Sequence, residues 1–276
     1  MLPKLNILIA YPYLKKESID IIKENDSIRF VLDSGAFTAW KAGKPIALDD
    51  YCKFIEQLPF KPWRYFNLDV IGDGDKSMRN YEIMLKRGFT PVPIFTRGEN
   101  IQAIDEYYKT SDVVGIGGLV KTKGNMGFVK GIMEVVGDRK VHLLGFVRHQ
   151  YINYYKPYMC DASSWSYGSR VGDFKVYMGK GVIKSYRKKD FINKPDKEIL
   201  KLLETYDISA QMVKSKDFWS NGKQLTCYAG RMWVRRSLET ENIIKTKLFL
   251  AVGSHQTINI LLESYNKEIK RFKEKK

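Results

Sequence analysis

Residues 140–165, KVHLLGFVRHQYINYYKPYMCDASSW, set two short apolar runs on either side of a segment with helical period. "KVHLLGFV" reads as a strand, "RHQYINYYK" as a helix and "YMCDASSW" as a second strand. Two strands joined through a helix pair in parallel, because the crossover returns the chain to the end from which it started. This stretch therefore decides the fold class if the same unit recurs elsewhere in the chain.

It does recur. Upstream, "NILIAY" is followed by a polar stretch from Lys15 to Asn25. "RFVLDSGAF" leads to "ALDDYCKFIEQL", in which Leu48, Tyr51, Phe54, Ile55 and Leu58 form one helical stripe with Asp49 and Asp50 in the first turn. "RYFNLDVIGD" leads to "SMRNYEIMLKRG", with Ser77 as candidate N-cap and Gly88 as stop signal. "TPVPIFTRG" leads to "NIQAIDEYYK", and "DVVGIGGLV" to "NMGFVKGIMEVVG". The seven strand candidates end near Tyr11, Asp33, Asp69, Thr96, Gly117, Gly145 and Asp161.

Seven successive units suit an α/β fold, either a (β/α)8 TIM-type barrel with an obscure last strand or an open doubly wound sheet. The barrel is favoured because three strand ends carry aspartate, and barrel sites collect polar groups from several strand ends. An open sheet concentrates its ligand contacts at one switch point instead.

Past Asp161, the segment "GSRVGDFKVYMGKGVIKSYRKK" carries seven basic residues between Arg170 and Lys189 against one acid, Asp173, and reads as a hairpin or loop. "DKEILKLLETYDIS" is helical and "LTCYAGRMWVRRSL" is mixed and aromatic. "TKLFLAVGSHQTINILLESYNKEIKRFKEKK" has the makings of a last strand and helix with a basic tail. The expected organisation is a single barrel domain over 1–276, with a basic insertion at 170–190 and residues 191–276 as the C-terminal part of the barrel, with a helical extension and a basic tail.

The 276 residues carry 47 Lys and Arg against 31 Asp and Glu, and the net charge of +16 favours a polyanionic partner, most simply nucleic acid. Cys52, Cys160 and Cys227 lack a CxxC pair, so neither a disulfide framework nor a four-ligand zinc site is expected. A reducing, cytoplasmic setting fits. No apolar run reaches membrane-spanning length, and "MLPKLNILIAYPYL" reads as a first strand and not as a leader.

Each aspartate alone has a plain reading as the cap of the following helix. Three at matched strand ends converge on one cavity, where burial and like charges drive their pKa values apart and divide acid, base and nucleophile roles. Gly117 and Gly118 in "GIGGLV" remove side chains at a strand end, either for a tight turn or to let a ligand meet the backbone. They lack the GxGxxG spacing, "GKG" at 179–181 is not a P-loop, and no cofactor is implied. His142, His149 and His255 have no metal-ligand spacing and read as structural or surface residues; Trp165 and Tyr167 either pack the barrel or stack on a base.

In order, "LDSGAF", "NLDVIGD", "GIGGLV", "HLLGFV" and "CDASSWSYGSR" resemble the motif series of the tRNA-guanine transglycosylases and their phage and bacterial relatives, the DpdA-type 7-deazaguanine DNA transglycosylases. The match runs from about residue 30 to 170. The resemblance implies that Asp161 is the nucleophile and that Asp33 lies over the incoming base as general acid and base. It implies further that Asp69 reads the guanine-like edge, that Gly117, Gly118 and Leu119 meet its carbonyl side, and that Leu144 and Gly145 flank the ring. Arg97 stands where the family has a glutamine, Ala36 where it has a second glycine, and the segment before Arg170 departs from the family.

The family's C-terminal zinc motif is missing, as the cysteines already indicate. Without that tRNA-engaging element, the basic segment tilts the expected polymer toward DNA, with Arg170, Lys175, Lys180, Lys184, Arg187, Lys188 and Lys189 holding the backbone. The implied reaction is replacement of guanine by a 7-deazaguanine such as preQ0, without a metal. For a phage-encoded member the setting is the host cytoplasm. A tRNA-modifying enzyme and a non-catalytic nucleic-acid-binding barrel are the alternatives.

Overall fold

The computed structural model describes residues 2–119, 125–166, 173–192 and 196–274. The alternation along the chain becomes β1 (Leu5–Ala10), α1 (Lys16–Glu24), β2 (Ile28–Asp33), α2 (Ala36–Lys41), α3 (Leu48–Gln57), β3 (Arg64–Tyr65), α4 (Gly74–Lys86) and β4 (Ile94–Phe95). It continues with α5 (Ala103–Tyr108), β5 (Val113–Ile116), α6 (Asn125–Val136), β6 (Lys140–Leu143), α7 (His149–Tyr155) and β7 (Met159–Ala162). There follow β8 (Phe174–Gly179), β9 (Val182–Tyr186), α8 (Lys188–Ile192), α9 (Lys197–Glu204), α10 (Ala210–Lys214), α11 (Lys216–Ser220), α12 (Gly222–Ile244), β10 (Lys247–Val252) and α13 (His255–Glu274).

The chain forms two compact units: Asn6–Ala162 with Thr246–His255, and Met1–Leu5 with Ser163–Lys245 and Gln256–Lys276. Of residues 191–276, only β10 and its flanks enter the barrel unit.

In the barrel unit, eight parallel strands among the described residues run in the order β3-β2-β1-β10-β7-β6-β5-β4 and curl through 274° into a TIM-barrel-like α/β fold. β10 is the last strand, set between β1 and β7. The seam between β3 and β4 is joined by an isolated parallel bridge from Phe66 to Val92. Asn67 reinforces it. Its N–H donates to Val92 O at 3.0 Å, and its Oδ1 accepts from the Ile94 N–H at 2.9 Å. Leu8, Val31, Phe66, Ile94, Val113 and Phe249 belong to one buried cluster, each contributing about 1.5–3 kcal/mol through burial. Gly115 leaves room there: a Cβ would lie 3.1–3.3 Å from Leu144, Ile94 and Phe66, so these side chains would have to give by a few tenths of an ångström.

Two local expectations are corrected. The cap of α4 is Asp73, whose carboxylate accepts from the Lys76 N–H at 2.9 Å. Ser77 lies inside the helix, fully buried, with its Oγ accepting from Val70 N–H at 2.8 Å. Asp73 reaches the free amides of the first turn, and Ser77 instead ties α4 to the preceding loop. α2 has no counterpart in the sequence reading and lies within the connection from β2 to α3.

In the second unit, β8 and β9 form the expected antiparallel hairpin. Its turn residues Lys180 and Gly181 have φ of 49° and 81°, the two positive values that a two-residue type I′ turn needs. "LTCYAGRMWVRRSL" is the middle of α12, a helix of 23 residues. It looks mixed because buried Arg231 and half-buried Arg235 are paired within the fold. Arg231 and Arg235 donate to the two oxygens of buried Glu268 on α13 at 3.0 and 2.6 Å. Such a triad keeps charge inside a core by satisfying it. No helix among the described residues is long and apolar enough to cross a membrane.

Candidate functional site

β2 ends on Asp33, and the carboxylate does not cap α2. The N-cap is Gly35, at φ +78°, with no side-chain cap. Asp33 Oδ2 accepts from the Gly35 N–H at 3.1 Å, and Ser34 Oγ accepts from the Ala36 N–H at 3.2 Å. Ser34 Oγ also donates to Asp69 Oδ1 at 3.0 Å, linking the β2 end to the segment after β3. Gly35 is needed twice over: its φ is left-handed, and a Cβ would sit 2.4 Å from Pro12 Cδ. Gly35→Ala is expected to cost at least about 1–2 kcal/mol, read as a lowered midpoint in denaturant unfolding.

Asp33 feels the charges of the other two carboxylates. Burial raises Asp33 from 3.8 to about 7, with further upward pushes from the charges of Asp69 and Asp161 and a partial offset from backbone hydrogen bonds. Burial raises Asp69 to about 6, and its bond from Ser34 works against that. Tyr51, fully buried on α3, donates to Phe66 O at 2.8 Å. Its hydroxyl is pushed well up, first by burial and then by the Asp33 charge.

Asp161 is buried on β7. Its Oδ1 accepts from the Gly145 N–H at 2.8 Å and lies 3.0 Å from His142 Nε2. A carboxylate offers only acceptors, so Nε2 carries the proton in that pair. Both hydrogen bonds fall on Oδ1, leaving Oδ2 without one among the described residues. The parallel register places His142 opposite Met159 and Leu143 opposite Cys160, which brings strand β6 alongside Asp161.

Two residues join the site that the sequence did not single out for it. His142 reads as structural from its spacing and is an immediate partner of Asp161. Glu99, beyond β4, accepts from the Thr96 N–H at 2.7 Å, and a Cβ at Gly74 would lie 2.2 Å from its Cγ. Burial raises Glu99, and the Asp69 charge adds to the shift. Neither had a spacing signal: His142 meets Asp161 through strand pairing, and Glu99 is held by its own loop beyond β4. Among the described residues no three His, Cys, Asp or Glu side chains are grouped to share a metal ion.

The remaining candidates are placed as follows. Gly117 follows β5, where a Cβ would meet Ile94 at 3.2 Å; Gly118 has φ +71° and lies against Arg97. Leu119 is buried. Leu144 faces Gly115 in the interior, and Gly145, at φ +65°, supplies the amide to Asp161. Arg97 is exposed, with its guanidinium 5.3 Å from the Phe128 ring centre.

The basic candidates belong to the second unit. Lys180, Lys184, Arg187 and Lys189 are exposed, while Lys188 is half-buried. Lys175 donates to Ser164 O at 3.3 Å. Lys175 pairs with Ser185 and Lys184 with Val176. Alternation therefore sets these two lysines on opposite faces of the hairpin. Arg170 and Tyr167 lie outside the described residues. Trp165 is 1% exposed and packs in a core, which removes it as a stacking surface.

The fold and site define a class: a TIM-barrel-like protein with Asp33, Asp69 and Asp161 at or just beyond strand ends, close enough for the charges of the last two to act on Asp33. No protein-family model matches the chain, and no curated protein matches it.

Proposed function

We propose that the barrel is a base-exchange enzyme that replaces guanine in DNA with a 7-deazaguanine such as preQ0 through a covalent aspartyl-glycosyl intermediate. The observation that carries this reading is the placement of Asp33, Asp69 and Asp161 at or just beyond the ends of different strands of one barrel. Asp161 has one oxygen anchored by Gly145 and His142 and the other without a hydrogen bond among the described residues, the disposition a nucleophile needs. Asp33, raised to about 7, sits where a group can both give and take a proton near neutral pH.

In the first half-reaction Asp161 Oδ2 attacks C1′ while the glycosidic bond to guanine breaks. The departing N9 takes the proton of Asp33. In the second, the incoming deazaguanine returns its N9 proton to Asp33 and bonds to C1′, and Asp161 leaves as a carboxylate. Asp69 accepts from the N–H edge of the base; a base that leaves such a buried group unpaired is disfavoured by about 1–3 kcal/mol. A base stacked in a duplex is out of reach, so the substrate is single-stranded or flipped out.

The test is transfer of radiolabelled guanine into polymer. Label entering DNA supports the proposal, and label entering tRNA alone moves the substrate to tRNA. Label entering neither overturns the base-exchange reading. Exchange into DNA is expected to fall steeply with added salt, as contacts to phosphate dictate.

A further inference from the structure

We infer that Trp40, with Lys41 and Lys44, forms a platform on which the nucleotide next to the exchanged guanine stacks, so that the barrel unit grips single-stranded DNA. This rests on the base-exchange reading and adds a binding site to it. α2 lies between β2 and α3, in a connection that leaves from the C-terminal end of a strand, the end at which barrel sites form. On that short helix Trp40 is 60% exposed and Phe37 is 53% exposed. Their ring centres are 5.9 Å apart with the planes tilted by 35°, so each ring steadies the other.

Beside the indole opens a cavity of about 260 Å³ bounded by Trp40, Lys44, Ile46, Leu68, Asp69 and Asn80. One wall thus carries Asp69 and another an exposed aromatic ring. A base held at Asp69 brings its neighbour in the strand to Trp40. Lys41 and Lys44 are exposed, and no acidic side chain pairs with either among the described residues. Their charge complements a phosphate on each side of a stacked base. Aromatic faces interleaved with cations are the standard means of holding a single strand, because every base has a π-face and every linkage a negative charge.

The test uses the full-length protein and a short single-stranded DNA containing one guanine with 2-aminopurine beside it. Wild type is expected to bind and to quench the 2-aminopurine. Trp40→Ala is expected to weaken binding about tenfold and abolish the quenching, the scale on which losing one base–aromatic stack acts. Trp40→Phe, which keeps a ring, retains most of both and separates stacking from any effect on folding. Lys41→Ala with Lys44→Ala weakens binding and flattens its salt dependence while the quenching of bound DNA persists.

Unchanged affinity and quenching in Trp40→Ala would overturn the platform, even if guanine exchange proceeds. If Trp40 governs binding and quenching but wild type exchanges no guanine, the platform stands and the base-exchange reading fails.

Discussion

Asp161→Asn is expected to lower guanine exchange by about 10³-fold or more, the scale on which removing a nucleophile acts, while oligonucleotide affinity and unfolding midpoint stay near wild type. The amide keeps the shape of the carboxylate and still offers an oxygen to the Gly145 N–H, which bonds Oδ1 at 2.8 Å. It does not form the glycosyl ester. Initial rates of labelled guanine incorporation check this. A variant retaining more than a tenth of wild-type rate contradicts the assignment of Asp161. A variant that loses DNA binding together with rate shows instead that the residue supports structure.

Asp33→Asn is expected to have the second large effect, and in an unusual direction: slower exchange by about 10²–10⁴-fold with a more stable fold above neutral pH. In the native protein Asp33 titrates at about 7, against an ordinary 3.8, chiefly because burial disfavours its charge. Between those values the native state holds a proton that the unfolded chain has released. Stability therefore falls as pH rises through this window and stays reduced above about 7. Asp69, raised to about 6, adds a contribution of the same sign.

The rise from 3.8 to about 7 corresponds to about 4 kcal/mol at most. Asp33 is only half-buried, so a gain on the order of 2 kcal/mol at about pH 8 is the expectation, vanishing toward about pH 4. Urea unfolding of both proteins at the two pH values measures it. Equal or lower stability of Asp33→Asn at the higher pH contradicts the picture of a half-buried carboxyl whose charge is disfavoured and which is kept for chemistry.

The repeating unit was legible because a period of two and a period of 3.6 leave distinct apolar patterns. The strand ends at Asp33 and Asp161 followed directly from it. β3 and β4 are shorter than their apolar runs suggest, with two ladder residues each. Pro91 and Pro93, just ahead of β4, have no N–H to give a neighbouring strand. The side chain of Asn67 takes over part of that seam, an arrangement with no one-dimensional signature.

His142 and Glu99 were hidden for a related reason. His142 and Asp161 are 19 residues apart and meet only because β6 and β7 pair in one particular register. The second unit was the least legible. Its long helix α12 buries Arg231 and Arg236, and buried arginine breaks the apolar stripe from which a packed helix is ordinarily read. α2 was missed because six residues are too few to show a period.

The most direct test of the central claim is whether Asp161 becomes covalently attached to a sugar. Incubated with a guanine-containing single-stranded DNA and no incoming base, wild-type protein is predicted to accumulate a protein–DNA adduct that survives denaturing electrophoresis. Peptide mass spectrometry should place the attachment on Asp161, and addition of a 7-deazaguanine should discharge the adduct. An adduct carried equally by Asp161→Asn, or exchange that proceeds with no adduct on Asp161 under single-turnover conditions, would contradict it.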